Sequence, residues 1–534
     1  MLWQSWEKFN NPVTPTIVQQ SQANKQGDVP TGLNSSNNIS QPSNLLATNA
    51  ASRLSDGARA IIVTDLVTAT IDADGGDLRD LSLNQYHDPA HADRPFFIFE
   101  QQPDHVFVAQ SGLLGTGMPN HKAIFTLVPG VYHLVNNQNS LSIPLTWHDA
   151  QSGLTIQKIY TFYRDNYRIN LTWNIINQGV KQQSVDAYFQ FERDGKSPSG
   201  ESKVVNTFTG PAIYTQKSKF IKLDFHKLDK GKQEYPVHAT DGWLAMVQHH
   251  FVSVWLPRNG VQREYYARSL GDDLYSAGLI MPEGVVPVGG NIQFSMPLYV
   301  GPQVQKTLTV LAPGLDYVVD YGWLTPIAVP IFWVLQHIHG LVGNWGWSIV
   351  ILTILIKLMF FPLSAKSYRS MAQMRGLAPK LQKIKELYSD DAEKRNMATM
   401  ELYKTEKINP LGGCLPSVVQ IPVFIALYWT LVGSVEMRQA PFILWIHDLS
   451  APDPYFVLPI IMGITMIIQT RLNPAPADPL QAKVMMFMPV AFSVFFLFFP
   501  AGLVLYWVVN NLMSMGQQWV IMRQVELKRI AKTH

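Results

Sequence analysis

The sequence has a single cysteine, Cys414, and only 15% charged residues in 534. A lone cysteine forms no disulfide within the chain, so every folded unit must be stable without a covalent cross-link. Soluble domains carry roughly 25% charged residues. The low charge therefore argues against an ordinary soluble enzyme, and the net charge of +3 gives no argument for nucleic acid binding.

Charge is unevenly distributed along the chain. Residues 1–324 carry a net charge of −4 and residues 325–534 one of +7, which sum to +3. A bilayer-spanning helix needs roughly 20 apolar residues. The second part contains four runs free of Asp, Glu, Lys and Arg, which predict a membrane domain: 325–356, 408–435, 454–470 and 484–522.

These runs predict five membrane spans within a membrane core, residues 341–522. The last run is long enough for two spans, and Phe499-Pro500-Ala501-Gly502 near its middle predicts a break. The proline- and histidine-containing start of the first run, 323–340, predicts an amphipathic helix lying in the interface. The predicted spans are about 341–363, 415–435, 455–471, 486–499 and 501–522.

The distribution of lysine and arginine predicts the orientation. Segment 364–409 carries ten of them and is interpreted as a cytoplasmic helical hairpin, with Pro379 opening its second helix and Asp390 capping the continuation. The tail, 523–534, is also basic, whereas the loop 436–454 has only Arg438. With five spans, the tail lies in the cytoplasm and the first part outside.

The first part is predicted to be a tethered antiparallel β-sandwich. Residues 10–54 are rich in Gln, Asn, Ser, Thr and Pro and predict a disordered linker. Within 55–322, Ile169, Leu171 and Trp173 alternate with polar residues, as in a half-buried strand. Similar short runs, such as 60–71 and 251–256, recur between turn residues.

The sandwich shows no sign of a catalytic site. No P-loop, nucleophile elbow or dinucleotide fingerprint occurs in it, and we interpret none of its histidines as paired at metal-ligand spacing with a second Cys or His. We therefore expect no enzyme activity, cofactor or metal. The alternative, a membrane-anchored carbohydrate-binding or epimerase-like domain, stays open because such sites are assembled from scattered residues.

Several polar residues lie within the predicted spans. Lys357 would sit about 9 Å from the cytoplasmic end of the first span, where it either snorkels to the surface or has a function. Thr353 shares its face, Gln420 lies at similar depth, and Asn510, Ser514 and Gln517 form a helical stripe. They either line a hydrated groove or only bridge helices by hydrogen bonds.

The predicted spans contain no Asp, Glu or His. A proton-coupled solute transporter would lack its usual relay groups, which weakens that third alternative. A lone cation in a cavity attracts anionic groups, so an acidic segment of another polypeptide is the expected visitor.

Motifs in one consistent order extend from residue 63 to 518. They are Val63-Thr64-Asp65, Gly75-Gly76-Asp77, Val319-Asp320-Tyr321-Gly322-Trp323, Gly343-Asn344-Trp345-Gly346-Trp347, Asn409-Pro410-Leu411-Gly412-Gly413-Cys414, Gln420-Ile421-Pro422, Arg438-Gln439-Ala440-Pro441-Phe442, Trp445-Ile446-His447-Asp448-Leu449-Ser450 and Phe499-Pro500-Ala501-Gly502-Leu503. In them the sequence resembles the YidC/Oxa/Alb family of membrane protein insertases, most closely the Gram-negative bacterial YidC.

The resemblance implies a periplasmic β-super-sandwich similar to galactose mutarotase, then an α-helical five-span insertase core in the bacterial inner membrane. It implies insertion and chaperoning of membrane proteins, with Lys357 in the family's basic groove position holding a substrate's acidic tail. Thr353, Gln420, Phe424, Tyr506 and Trp507 match groove-lining or substrate-contact positions. Implied partners are nascent membrane proteins, the lipid bilayer, the SecYEG translocon with accessory Sec proteins, and the ribosome through the cytoplasmic loops and tail.

The sequence departs from the family in two places. Lys357 replaces a more usual arginine, which removes the bidentate fork but keeps the cation. Family members begin with a full membrane span, whereas residues 1–9 resemble only the outer end of one. We therefore expect the native chain to begin upstream of Met1.

Overall fold

A computed structural model describes residues 27–30, 54–89, 91, 93–198, 207–389, 391–406, 415–472 and 479–533. The chain divides into two compact units between Val318 and Val319. The predicted span remnant 1–9, most of the predicted linker 10–54, and the motif 409–414 with Cys414 lie outside the described residues.

The first unit is an antiparallel β-sandwich, as predicted. Its described strands are β1 Arg59–Val63, β2 Val67–Asp72, β3 Leu78–His87, β4 Pro95–Gln102, β5 His105–Leu114, β6 Gly130–His133, β7 Ser140–Asp149, β8 Leu154–Tyr163, β9 Arg168–Asn177, β10 Gln183–Asp194, β11 Gly210–Thr215, β12 Lys219–Lys222, β13 His238–Ala239, β14 Trp243–Gln248, β15 Phe251–Trp255, β16 Arg263–Gly271, β17 Leu274–Val286 and β18 Asn291–Pro302. They form a sheet of ten strands in the order β13-β16-β17-β10-β5-β4-β3-β2-β1-β6 and one of eight in the order β12-β11-β14-β15-β18-β9-β8-β7. Only β1 and β6 pair in parallel among these described pairings.

The predicted alternation in β9 is confirmed. Ile169, Leu171 and Trp173 are buried, and the residues between them are half-buried. Each strand of this kind contributes one apolar face to the space between the sheets, which is where a sandwich has its core. Two short helices, α1 Phe225–Asp229 and α2 Gln305–Leu311, lie outside the sheets.

Two segments of the first unit differ from their predictions. The run 60–71 is a hairpin rather than one strand, because the Thr64 hydroxyl accepts hydrogen bonds from the amides of Leu66 and Val67 and turns the chain. Residues 27–30 of the predicted disordered linker are ordered against the sandwich, because Lys122 and other polar groups bind Asp28.

The second unit is helical. Pro362 near the start of its third helix lacks an amide proton and disfavours helical conformation in the residue before it. The helices are α3 Thr325–Val342, α4 Trp345–Met359, α5 Phe361–Gly376, α6 Ala378–Leu387, α7 Ala392–Thr405, α8 Leu415–Gly433, α9 Val457–Leu472, α10 Pro479–Phe495 and α11 Ala501–Thr533.

Helix boundaries differ from the predicted spans: α10 begins before residue 486, α11 extends beyond residue 522, and the first predicted span is interrupted by a bend. Helix α4 ends at Met359, and the chain bends by 66° into α5 instead of continuing straight to residue 363. The predicted hairpin 364–409 contains the rest of α5 together with α6 and α7. Helix α7 is capped by Asp391, whose carboxylate accepts from the Lys394 amide, and Asp390 lies outside the described residues.

Length and composition alone identify few candidate spans among the described residues. One helix, Gly322–Val342, is long and apolar enough to cross a membrane, and the bent pair Trp345–Met359 and Phe361–Gly376 adds a second if it forms one span. Val419–Gly433, Val457–Leu472 and Lys483–Phe498 are apolar but shorter. The five spans, and the interfacial placement of 323–340, stay predictions.

Helices α3, α4, α8, α9 and α11 share one apolar core. Leu352, Leu427, Met462 and Val504 are among its buried members. Helix α4 approaches the loop 436–454 closely at Gly346. A Cβ at this position would lie 2.1 Å from the ring of Phe442, so the contact requires glycine.

Asp453 joins that loop to the start of α9. Its buried carboxylate accepts hydrogen bonds from the amides of Tyr455 (3.0 Å) and Leu458 (2.8 Å) and from the indole of Trp445 (3.0 Å).

We expect Asp453→Ala to lower the free energy of unfolding by about 2 kcal/mol, since three donors lose a charged acceptor. Thermal unfolding of the full chain in detergent measures this, with Asp391→Ala, an exposed cap, as the control. Equal melting temperatures for the two variants would contradict the expectation.

Candidate functional site

Three helices bring polar side chains together around Lys357. Lys357 lies in the last turn of α4 and is only 3% exposed. Gln420 comes from α8, and Ser514 and Gln517 from α11. Ser514 and Gln517 are three residues apart, so they lie on the same face of α11.

The Lys357 ammonium donates hydrogen bonds to two neutral oxygens. Its Nζ lies 2.8 Å from Ser514 Oγ and 3.3 Å from Gln420 Oε1. Gln517 Nε2 donates to the backbone carbonyl of Lys357 at 3.4 Å. Because the ammonium is held in this way, its side chain does not extend to the surface as a snorkelling lysine does.

Two other predicted residues take part less directly. The Thr353 hydroxyl is buried and donates to the carbonyl of Ile349 in its own helix, at 2.7 Å. Asn510 contributes its backbone carbonyl, which accepts from Ser514 Oγ at 2.7 Å. Ser514 thus accepts from the cation and donates onward, an arrangement that orients its oxygen toward Lys357.

The charge of Lys357 is not neutralised by any carboxylate in the described part of the chain, where both of its hydrogen-bond acceptors are neutral. An ammonium has three N–H donors, so two acceptors leave one donor available. A cation on a mostly buried side chain with a free donor can bind an anionic group brought by a ligand. The set contains no paired nucleophile and base.

The three predicted aromatic residues form a cluster of their own. The ring centroid of Phe424 lies 5.0 Å from that of Trp507 and 6.0 Å from that of Tyr506. Phe496 contacts Trp507 from another side, with 6.0 Å between centroids. The Trp507 indole N–H is buried without a hydrogen-bond partner among the described residues.

The structure adds polar residues that the sequence reasoning missed. Asn511 Nδ2 donates to Thr465 Oγ1 at 3.2 Å, and Gln518 Nε2 donates to the Leu472 carbonyl at 3.3 Å, so a second stripe on α11 faces α9. The seven-residue spacing of Asn511 and Gln518 could have revealed it.

No group of three or more His, Cys, Asp or Glu residues suited to a metal ion occurs in the ranges that the structure covers. The polar cluster holds amide, hydroxyl and ammonium groups. Its chemistry is therefore hydrogen bonding and charge attraction.

Two family models together match most of the chain. The model described as YidC periplasmic domain matches residues 59–334, and the one described as 60Kd inner membrane protein matches residues 337–529.

Relatives match over nearly the whole length. The membrane protein insertase YidC of Thiobacillus denitrificans is 51% identical over 527 residues, which are 98% of this chain and 95% of that protein. The membrane protein insertase YidC of Aromatoleum aromaticum is 50% identical over 539 residues, covering 99% of this chain and 96% of that one.

Solved structures show weaker likeness. An active YidC insertase crystal structure with the first transmembrane domain resolved has a TM-score of 0.41 and 18% identity, covering 87% of this chain and 92% of its own. A galactose mutarotase related enzyme from Lactobacillus acidophilus has a TM-score of 0.30 and 11% identity, covering 45% of this chain and 97% of its own.

Proposed function

The chain belongs to the YidC family of membrane protein insertases, and from that premise we propose that the polar cluster around Lys357 is the groove in which it receives its substrates. The protein is an insertase and not an enzyme. Its substrates are nascent membrane proteins, it works in the lipid bilayer of the inner membrane, and its β-sandwich is the periplasmic domain.

One observation carries the proposal. The Lys357 ammonium is almost fully buried, is bonded only to neutral oxygens among the described residues, and keeps one donor free. A lysine at the centre of a membrane span costs roughly 2.5–3.5 kcal/mol on insertion scales, and a buried ammonium in the last turn of α4 carries part of that cost. A carboxylate arriving in the acidic tail of a substrate would take the free donor and offset part of that cost.

The aromatic cluster is the proposed contact for the apolar segment of the substrate. Phe424 and Trp507 are half-buried, so part of each ring remains available. Hydration of the groove shortens the apolar path for a polar tail, and transfer of the substrate's own apolar helix into lipid supplies the driving force. No nucleotide is needed for such a step.

Orientation and further partners are part of the same proposal. The basic segment 364–409 and the basic tail 523–534 favour a multi-pass chain with a cytoplasmic C-terminus and a groove open to that side. Their positive charge suits contact with ribosomal RNA at the nascent-chain exit. A chaperone role and cooperation with SecYEG and accessory Sec proteins follow from the family resemblance.

Disulfide cross-linking tests the occupant of the groove. A stalled single-span substrate with one cysteine in its acidic tail is presented to membranes containing the Cys414→Ser chain with Ser514→Cys, a near-isosteric change. The matched control is Leu512→Cys, which lies on the same helix but is half exposed. We expect a cross-link to Ser514→Cys at least about tenfold stronger than to the control, because bound tails have a high local concentration.

The cross-link should weaken when the tail's acidic residues are replaced by their amides. Equal cross-linking of Ser514→Cys and Leu512→Cys, or no effect of the tail's charge, would place the tail elsewhere and overturn the proposal.

A further inference from the structure

Four residues of the linker lie on the ten-stranded sheet of the sandwich. Among residues 27–30, Gly27 is exposed, Asp28 and Val29 are half-buried, and Pro30 is buried. The sequence reasoning treated this polar segment as unable to fold. The structure instead gives it specific partners, all centred on Asp28.

Two cationic or polar side chains face the Asp28 carboxylate. Lys122 Nζ lies 2.6 Å from Oδ1, and His121 Nε2 lies 3.5 Å from Oδ2. Burial raises the pKa of Asp28, but His121 and Lys122 outweigh burial and hold that pKa well below its usual range. The carboxylate is therefore bound as an anion.

Two further side chains bind the backbone of the same residue. Arg268 of β16 donates to the Asp28 carbonyl at 2.9 Å, and Gln190 of β10 donates to it at 3.5 Å. Two of the four contacts thus bind the main chain of the segment, and the other two bind its acidic side chain.

Two of these partners, Gln190 and His121, are held in place by other residues of the sandwich. Gln190 is fully buried, and its Oε1 accepts from Tyr266 (2.7 Å) and Ser276 (3.2 Å). The Tyr188 hydroxyl accepts a hydrogen bond from the backbone amide of His121 at 2.9 Å. It also forms a hydrogen bond with Nδ1 of the His121 ring. His121 is only 4% exposed, and its Nε2, turned toward Asp28, has no hydrogen-bond partner among the described residues.

We propose that His121, Lys122, Gln190 and Arg268 form a binding site for a peptide segment that contains an aspartate, and that residues 27–30 of the chain itself are its resident ligand. The linker is thereby fixed to the sandwich at one point. The site lies in the first unit and is independent of the Lys357 cluster. A peptide of the same sequence added in solution must compete with the tethered copy.

Competition binding tests this on the full-length protein. The probe is a labelled peptide with the sequence of residues 24–33, measured by fluorescence anisotropy in detergent. A tethered ligand has an effective concentration in the millimolar range, so with an intrinsic Kd of about 0.1 mM the tethered copy weakens binding of the probe about tenfold. We expect Asp28→Asn in the protein to restore about tenfold tighter binding, because it weakens the tethered competitor.

Site variants and probe variants complete the design. In the Asp28→Asn protein, Lys122→Met or Arg268→Met should remove the gained binding, and a probe carrying Asp28→Asn should bind poorly. Lys122 is largely exposed, so its replacement leaves the fold intact. Asp104→Asn, at an exposed carboxylate, is the control and should bind the probe as the wild type does.

Three results would overturn the proposal. They are equal affinity of the probe for the wild type and Asp28→Asn, binding unaffected by both Lys122→Met and Arg268→Met, and displacement by acetate as effective as displacement by unlabelled peptide. The last would show that the site binds a carboxylate alone and does not recognise the main chain.

Discussion

Replacing Lys357 with methionine is expected to slow insertion of a substrate with an acidic tail by about ten- to hundredfold, the equivalent of one charge-assisted hydrogen bond of 1.5–3 kcal/mol. Methionine has nearly the length of lysine, so the packing of α4 against α11 is kept. Ser514 still donates to the Asn510 carbonyl. The variant thus removes the cation with little other change.

The measurement uses the purified chain in liposomes without nucleotide or translocon and scores protease protection of a small single-span substrate. Lys357→Arg is the conservative variant and should insert the substrate within a few-fold of the wild type, because it restores the cation. A substrate whose tail carries amides in place of acids is the matched control and should not distinguish Lys357→Met from the wild type.

Equal rates for Lys357→Met and the wild type with the acidic tail would show that the cation is not used. Insertion would then depend on thinning of the bilayer and on the apolar contacts alone. A loss that is the same for acidic and amidated tails would assign Lys357 a structural role in joining α4 to α8 and α11.

Much of the fold could be predicted because its signals are local. The alternation of Ile169, Leu171 and Trp173 depends only on the two-residue period of a strand. The break at Phe499-Pro500 follows from proline chemistry, and α11 begins at Ala501. Family motifs spread along the chain then fixed the order of the two units.

The features that the sequence did not predict depend on tertiary contacts, which cannot be inferred from local sequence patterns. The end of α4 at Met359 is set by the turn before Pro362, and apolar composition alone suggested a straight span. Ordering of residues 27–30 requires His121, Gln190 and Arg268, which come from three separated parts of the chain. Composition described that segment correctly as polar but could not reveal its partners.

The candidate site was partly visible in sequence. Helical spacing put Ser514 and Gln517 on one face, and depth in the predicted spans paired Lys357 with Gln420. The spacing did not show that Thr353 would bond its own helix, or that Asn511 and Gln518 would face α9. Hydrogen-bond partners depend on the rotation of each helix, which tertiary packing sets.

Two buried lysines of this chain have different interaction partners, and we therefore expect them to have different roles. Lys357 has only neutral acceptors among its described contacts, whereas Lys158 in the sandwich has Asp77 Oδ1 at 3.9 Å. Lys158 also donates to the carbonyls of Gly75 (3.0 Å) and Ser111 (3.1 Å). Its ammonium therefore has two hydrogen-bond acceptors and a carboxylate within ion-pairing distance. A buried cation that is paired with a carboxylate of the same domain is expected to stabilise the fold.

Lys158→Met is therefore expected to lower the free energy of unfolding of the sandwich by about 3–5 kcal/mol, the usual loss when one partner of a buried ion pair is removed. Methionine fills the volume, so no cavity contributes. Asp77, fully buried, keeps Arg79 at 3.7 Å but loses its second cation, and two carbonyls lose a donor. Urea titration of the full-length chain, followed by near-ultraviolet circular dichroism, measures the loss. Adding Asp77→Asn to Lys158→Met should cost less than the sum of the single changes.

The pH dependence gives an independent check of the same group. Burial lowers the pKa of Lys158 to about 8, although Asp77 raises it. The unfolded chain keeps the proton up to its ordinary value of 10.5. Between these pH values the unfolded state binds more protons, so the contribution of Lys158 makes stability rise with pH. That rise should disappear in Lys158→Met, and an identical pH profile for both proteins would show that Lys158 ionises as an exposed lysine does.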